Sequence, residues 1–138
     1  IVRTPKSFRV IAELGVNWTM NAWRYTPKEY RFKAQEFENI CEEVGRNPAE
    51  IRRSVAKHII LAEHSRALDE KIKKYKPPDM SVEDYRRRIA GTPDEWVKWI
   101  NEFVDLGVTH FILNFPNLLE LKPLELFADH VMPAFKGR

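Results

Sequence analysis

The feature that most constrains the fold is a run of signals that occurs twice. Thr26-Pro27-Lys28-Glu29 leads through to Gly45, and Thr92-Pro93-Asp94-Glu95 leads through to Gly107. In each copy the threonine can cap a helix, the proline fits the first helical position, and the glutamate three residues on closes a capping box. Apolar residues then recur at spacings of three and four: Tyr30, Ala34, Phe37, Cys41 and Val44 in the first copy, Trp96, Ile100, Phe103 and Val104 in the second. Each glycine stands where a left-handed residue ends a helix. The second copy runs into Val108 to Phe115, stopped by Pro116. That run is too short for a buried helix and too uniformly apolar for a half-exposed strand. It predicts a parallel strand covered on both faces. The first copy passes through a turn at Asn47-Pro48 into a second buried strand between Ile51 and Ala62. Lys57 and His58 are unusual there and are expected near one end or against a polar layer.

The remaining chain supplies more helices. Ser7 is placed to cap a short one carrying Phe8, Val10, Ile11 and Leu14, ended by Gly15, before a short strand at Val16-Asn17-Trp18-Thr19. His64 to Tyr75 reads as a charged helix, broken by Lys76-Pro77-Pro78-Asp79. Ser81 and Asp84 suit a short capped helix through Ile89. Pro116-Asn117 turns the chain. Pro123 opens a last helix with Leu124, Phe127, Ala128, Val131 and Met132 facing inward, and Lys136-Gly137-Arg138 is a tail. Ile1 to Pro5 reads as the cut end of something longer.

Strands alternating with helices mean an α/β fold. Right-handed crossovers leave an open doubly wound sheet or part of a (β/α)8 barrel. No Gly-rich phosphate loop follows a strand, which counts against a nucleotide-binding open sheet. A full barrel needs about 250 residues; this chain has 138. The expectation is therefore the C-terminal part of a barrel: three parallel strands, near Val16, Val55 and Phe111, in one sheet with helices outside. It is expected as a single partial barrel domain with a helical insertion at about 64–89.

Composition narrows the function classes. With 43% hydrophobic and 31% charged residues the chain is globular. No apolar run approaches the roughly twenty residues of a membrane helix. Arg3, Lys6 and Arg9 interrupt the N-terminus, so no signal peptide is expected. One cysteine, Cys41, excludes an intramolecular disulfide and a cysteine-based zinc site. A cytoplasmic location is the default expectation. A net charge of +3 is only mildly basic and does not call for nucleic acid.

Several stretches carry a resemblance. Gly91-Thr92-Pro93-Asp94-Glu95-Trp96 to Asp105-Leu106-Gly107-Val108-Thr109-His110-Phe111-Ile112-Leu113-Asn114-Phe115 resembles the C-terminal end of the luciferase-like flavin monooxygenases and deazaflavin-dependent oxidoreductases. So does Leu126-Phe127-Ala128-Asp129 to Val131-Met132-Pro133-Ala134-Phe135, as does Cys41-Glu42-Glu43-Val44-Gly45-Arg46-Asn47-Pro48 with Ile51. Ala12 to Trp18 follows the family's Ala-Asp-Gly-Trp-Asn pattern more loosely. The resemblance implies a (β/α)8 barrel active at the C-terminal ends of its strands, with FMN or a deazaflavin (coenzyme F-420) as cofactor. It also implies that most cofactor contacts come from an earlier half of the barrel, so the chain alone is not expected to hold the cofactor tightly.

Candidate site residues follow from strand ends and helix starts. Asn114 closes the third strand, where barrel function concentrates, or else forms the turn before Pro116. By the same logic Asn17 and Trp18 stand at the end of the first strand, where an aromatic lines a pocket or belongs to the core. Gly91 and Thr92 begin a helix whose amides and dipole suit a phosphate, or simply need capping. His58 and His110 are read as hydrogen-bonded structural histidines, without metal spacing. Glu63, His64 and Ser65 read as a helix cap. The basic run of Lys71, Lys73, Lys74, Lys76 and Arg86 to Arg88 is interleaved with acids and reads as a solvated face. A sheet cut from a barrel has two open edges and an uncovered inner face, expected to be apolar because Val55, Ile59, Leu61, Phe111 and Leu113 cannot all point at the helices. A homo-oligomer or a missing N-terminal barrel half is the expected partner.

Overall fold

The computed structural model describes residues 4–23, 25–116 and 120–137. The expected cut end at Ile1 to Arg3, the Asn117 side of the turn and the last residue of the tail lie outside the described residues. In chain order the elements are α1 (Pro5–Leu14), β1 (Asn17–Asn21), α2 (Pro27–Glu43), a 3-10 turn (Pro48–Glu50), β2 (Arg52–His58), β3 (Ile60–Leu61), α3 (Ser65–Tyr75), α4 (Val82–Ile89), β4 (Ala90–Gly91), α5 (Pro93–Val104), β5 (His110–Asn114), α6 (Lys122–His130) and a closing 3-10 turn (Met132–Phe135). The three expected strands share one sheet in the order β1-β2-β5, and β3 pairs with β4. β1 runs parallel to β2, with Asn17 opposite Arg52 and Asn21 opposite Ala56. Thr109 N–H donates to Arg53 O at 3.0 Å and Ile59 N–H to Asn114 O at 2.9 Å, so β5 and β2 climb in the same direction.

The repeated helix grammar forms as written. Thr26 caps α2, and the Glu29 carboxylate accepts from Thr26 N–H at 2.8 Å. The Glu95 carboxylate accepts from Thr92 N–H at 2.7 Å at the start of α5. Both helices end on a left-handed glycine, Gly45 at φ 71° and Gly107 at φ 83°. The closing bonds match too: Arg46 N–H to Cys41 O and Gly45 N–H to Glu42 O, then Val108 N–H to Phe103 O and Gly107 N–H to Val104 O. This is the Schellman arrangement, which satisfies carbonyls that a helix end otherwise orphans.

The chain forms two compact units. Unit 1 comprises the described residues up to Lys57 with Glu102–Ile112; unit 2 comprises His58–Asn101 with the described residues from Leu113 on. In unit 1, β1 alternates: Trp18 and Met20 are buried beneath the helices, while Asn17, Thr19 and Asn21 take the other face. Trp18 stacks on Phe37 at 4.7 Å and on Tyr30 at 5.4 Å, and meets Phe8 edge-on at 5.4 Å. On β2, Arg53 reaches the Glu38 carboxylate of α2 and, at 3.5 Å, the carbonyl of Leu106. The opposite face is polar at its start: Ser54 Oγ bonds Asn17 Oδ1 at 2.7 Å, and Asn17 Nδ2 donates to Thr19 Oγ1 at 2.8 Å. Val55 shares the parity of Arg53 and lies on the helix side, fully buried.

In unit 2 the buried residues include Leu68 and Ile72 of α3, Tyr85 and Ile89 of α4, Trp96 and Ile100 of α5, and Ile59 to Ala62 around β3. Trp96 Nε1 donates to Ile60 O at 3.3 Å, and Tyr85 Oη to Tyr75 O at 2.9 Å.

The structure corrects several boundaries. Thr4, not Ser7, caps α1; Ser7 is the third helical residue and returns the bond to Thr4 N–H at 3.0 Å. Val10 and Leu14 are exposed, and Phe8 with Ala12 form the buried stripe. The short pair β3–β4 carries only two residues per strand, below what periodicity can register. β5 is not covered on both faces: His110, Ile112 and Asn114 are exposed, and Phe111 with Leu113 half-buried. Lys57 is buried, with Nζ 3.5 Å from Ala22 O, whereas its neighbour His58 is exposed. On and just beyond α6 only Pro123 and Val131 are fully buried among the described residues; Leu124, Ala128 and Met132 are exposed, and Phe127 meets the Phe115 ring edge-on at 5.9 Å.

Candidate functional site

β1 begins at Asn17 and ends at Asn21, one and two residues later than expected, so Asn17 and Trp18 stand at its N-terminal end and Asn21 at its C-terminal end. Trp18 is 1% exposed inside the aromatic cluster. Its Nε1 and the Tyr30 hydroxyl are buried with no hydrogen-bond partner among the described residues. Burial pushes the Tyr30 phenol up to about 12, against a smaller opposing pull from Arg53. It also raises the Cys41 thiol, which keeps that cysteine in its unreactive form.

The other three candidates lie in unit 2. Asn114 ends β5 with an exposed side chain, and its carbonyl accepts from Ile59 N–H. Gly91 is buried in β4. A Cβ there would lie 3.1 Å from Trp96 Nε1 and 3.2 Å from Glu95 Cβ, so the glycine makes room for the first turn of α5. The amide of Thr92 is taken by Glu95, and Asp94 and Glu95 add negative charge to that helix start. An anion arriving there meets carboxylates already in place.

Beside the ends of β3 and β5 lies a polar cluster that the linear reading missed. Glu120 Oε1 accepts from Tyr75 Oη at 3.0 Å and from Lys74 Nζ at 3.1 Å. Lys71 Nζ donates to Leu61 O at 3.0 Å and stands 4.0 Å from Glu120 Oε2. The hydrogen bonds to Tyr75 and then to Glu120 hold the Lys74 ammonium above its ordinary value. Lys71, Tyr75 and Glu120 line a cleft with Leu61, Phe115 and Pro123. Its free room is about 20 Å³, enough for about one water. A drug-sized ligand needs about 300 Å³ or more. The cluster ties the segment after β5 to α3. Lys71, Lys74 and Tyr75 sit at three and four on one helix face, a signal visible in the sequence; their partner, 45 residues on from Tyr75, was not.

Among the described residues no group of three or more His, Cys, Asp or Glu could hold a metal ion. His58 and His110 are both exposed. No described helix is long and apolar enough to cross a membrane.

The parallel strands and outer helices define a fold class, part of a luciferase-like (β/α)8 barrel. Solved structures with this fold give it particulars. A coenzyme F-420-dependent secondary alcohol dehydrogenase, in complex with an F-420–acetone adduct, matches 96% of this chain and 46% of its own, with TM-score 0.72 and 16% identity. The coenzyme F-420-dependent tetrahydromethanopterin reductase of Methanopyrus kandleri matches 98% of this chain and 50% of its own, with TM-score 0.71 and 18% identity. An EDTA monooxygenase from a Chelativorans species matches 95% and 44%, with TM-score 0.74 and 16% identity. The chain spans about half the length of the structures it matches. No family model matches the chain, and no curated protein matches it by sequence.

Proposed function

We propose that this chain is one part of an oxidoreductase of the luciferase-like group, dependent on FMN or coenzyme F-420. The observation that carries the proposal is the match along 96% of the chain to an F-420-dependent dehydrogenase, at TM-score 0.72. The bound cofactor would supply hydride or oxygen chemistry, and the protein position and dryness. The candidate residues do not fit a flavin-sized ring. Trp96 fills the space beside Gly91, Glu95 takes the Thr92 amide, Trp18 is enclosed by aromatic rings, and the cleft at the strand ends has room for about one water. No chemical step is therefore assigned to these side chains. The remaining barrel strands would supply most of the seat.

The isolated chain should bind FMN or coenzyme F-420 with a dissociation constant weaker than about micromolar, roughly 8 kcal/mol. Titration followed by flavin and deazaflavin fluorescence is the test. Tight binding of either by the chain alone would sink the claim that the seat lies elsewhere. Failure of both cofactors to bind a barrel completed with an N-terminal half would sink the oxidoreductase reading itself.

A second reading rests on β5. His110, Ile112 and Asn114 are exposed along a strand of apolar sequence, which favours a non-catalytic half-barrel that associates with itself or with a separate N-terminal half. Light scattering at low micromolar concentration tests it; a monomer that gains no mass with an added N-terminal half would count against it.

A further inference from the structure

Unit 1 carries an open groove of about 450 Å³ on its helical side. Lys28, Arg31 and Phe32 of α2 form one wall, and Glu102, Asp105 and Leu106 the other. Phe32 is 67% exposed. It lies two residues beyond the buried Tyr30, which turns it by about 200° and away from the buried stripe of Tyr30, Ala34, Phe37 and Cys41. Several other charges on α2 are paired: Lys33 with Glu36 at 2.6 Å, Glu43 with Arg9 at 2.6 Å, and Glu38 with Arg53. The side chains of Lys28, Arg31, Glu102 and Asp105 make no ion pair or hydrogen bond with any described residue. Two cations and two anions without a described side-chain partner thus line an open groove that holds an exposed aromatic ring.

Such a surface is complementary to itself. A two-fold axis through the groove would set the Lys28 and Arg31 wall of one copy on the Glu102 and Asp105 wall of its partner, and the reverse at the other end. Phe32 would enter the partner's groove as an aromatic anchor with Arg31 beside it, the residue types that dominate such contacts. We infer that this groove is the surface through which two copies of the chain associate. The inference is independent of the cofactor reading, and it uses a different face from β5.

Charge exchange tests it. One variant carries Lys28→Glu with Arg31→Glu, the other Glu102→Lys with Asp105→Lys. Circular dichroism establishes that each is folded, and sedimentation velocity reads the mass. The wild-type chain should dimerise at low micromolar concentration and weaken in high salt. Each variant alone should associate about tenfold more weakly or worse, because like charges meet. An equimolar mixture should restore a dimer of one copy of each. A wild-type chain that is monomeric would overturn the inference. So would variants that dimerise as well as wild type, an outcome that moves the contact to another face such as β5. A mixture of folded variants that stays monomeric would overturn it as well.

Discussion

α2 with β2 and α5 with β5 are built from the same local instructions. Each helix opens with a threonine whose amide is held by the glutamate three residues on, and each closes on a left-handed glycine with the same pair of backbone bonds. Their strands nonetheless meet different surroundings. On β2, Ser54 and Val55 are fully buried, and the strand lies between β1 and β5. On β5, alternate residues are exposed and the others only half-buried, and β2 is its one described neighbour in the sheet. Local signals therefore decide which element forms and where it stops. How much of that element is covered is decided by neighbours far along the chain, or outside it.

The largest effect is expected on the covered side. Phe37→Ala removes a fully buried ring from the Trp18 cluster and should cost about 3–5 kcal/mol in urea unfolding. A loss below about 1 kcal/mol would mean that this cluster is not the core of unit 1. Next comes a pH effect confined to that cluster. Tyr30 has its folded pKa raised from 10.0 to about 12 by burial. The unfolded chain therefore ionises first: the contribution is intact below about pH 10 and is lost as pH climbs toward 12. The loss should reach up to about 3 kcal/mol. Tyr30→Phe should flatten that limb of the stability curve and, since the buried hydroxyl has no described partner, cost little at pH 7.

The shared helix ends predict equality. Gly45→Ala and Gly107→Ala should each cost about 1–2 kcal/mol, from forcing a Cβ into left-handed backbone. A Cβ meets nothing within 4 Å at Gly45, and at Gly107 only the Arg53 side chain at 3.5 Å or beyond, so the two values should agree. Clearly unequal costs would show that one helix end is held by something other than its backbone bonds. The smallest effect is expected at Ile112, which is 40% exposed. Ile112→Ala should cost about 0.5 kcal/mol or less, against about 2 kcal/mol for Val55→Ala. Similar losses at the two positions would mean that β5 is covered in solution.

The sequence was most legible where physics is local. The Thr26 capping box, the Glu95 bond to the Thr92 amide, both glycine stops, the His64 cap and the Pro77-Pro78 break need only neighbours within a few residues. The parallel sheet followed from the repeat of those units. The bounds of β1 did not: Val16 to Met20 alternates apolar and polar residues, yet Val16 is exposed ahead of the strand, Trp18 and Met20 take the buried face, and the strand runs on to Asn21. Burial of β5 was overestimated for a related reason. An apolar run records what a strand is suited to, not whether its cover is present in the chain. Of the candidate site, Asn114 is at the strand end assigned to it, whereas the Tyr75–Glu120 cluster joins residues too far apart for spacing to reveal.

The make-up of unit 1 carries a consequence in time. Its first piece ends at Lys57 and its second begins at Glu102. Phe103 closes on Tyr30 at 5.3 Å, and Arg53 spans Glu38 and the Leu106 carbonyl. On a translating ribosome the first piece emerges with its aromatic cluster built but unsealed. At about 5–20 residues per second it waits roughly 2–9 s for the segment that completes it. During that interval the Tyr30 edge is open to water and to chaperones. Nascent chains stalled before Glu102 should therefore be cut readily by protease within α2, and chains stalled well past Ile112, with that segment clear of the exit tunnel, should resist.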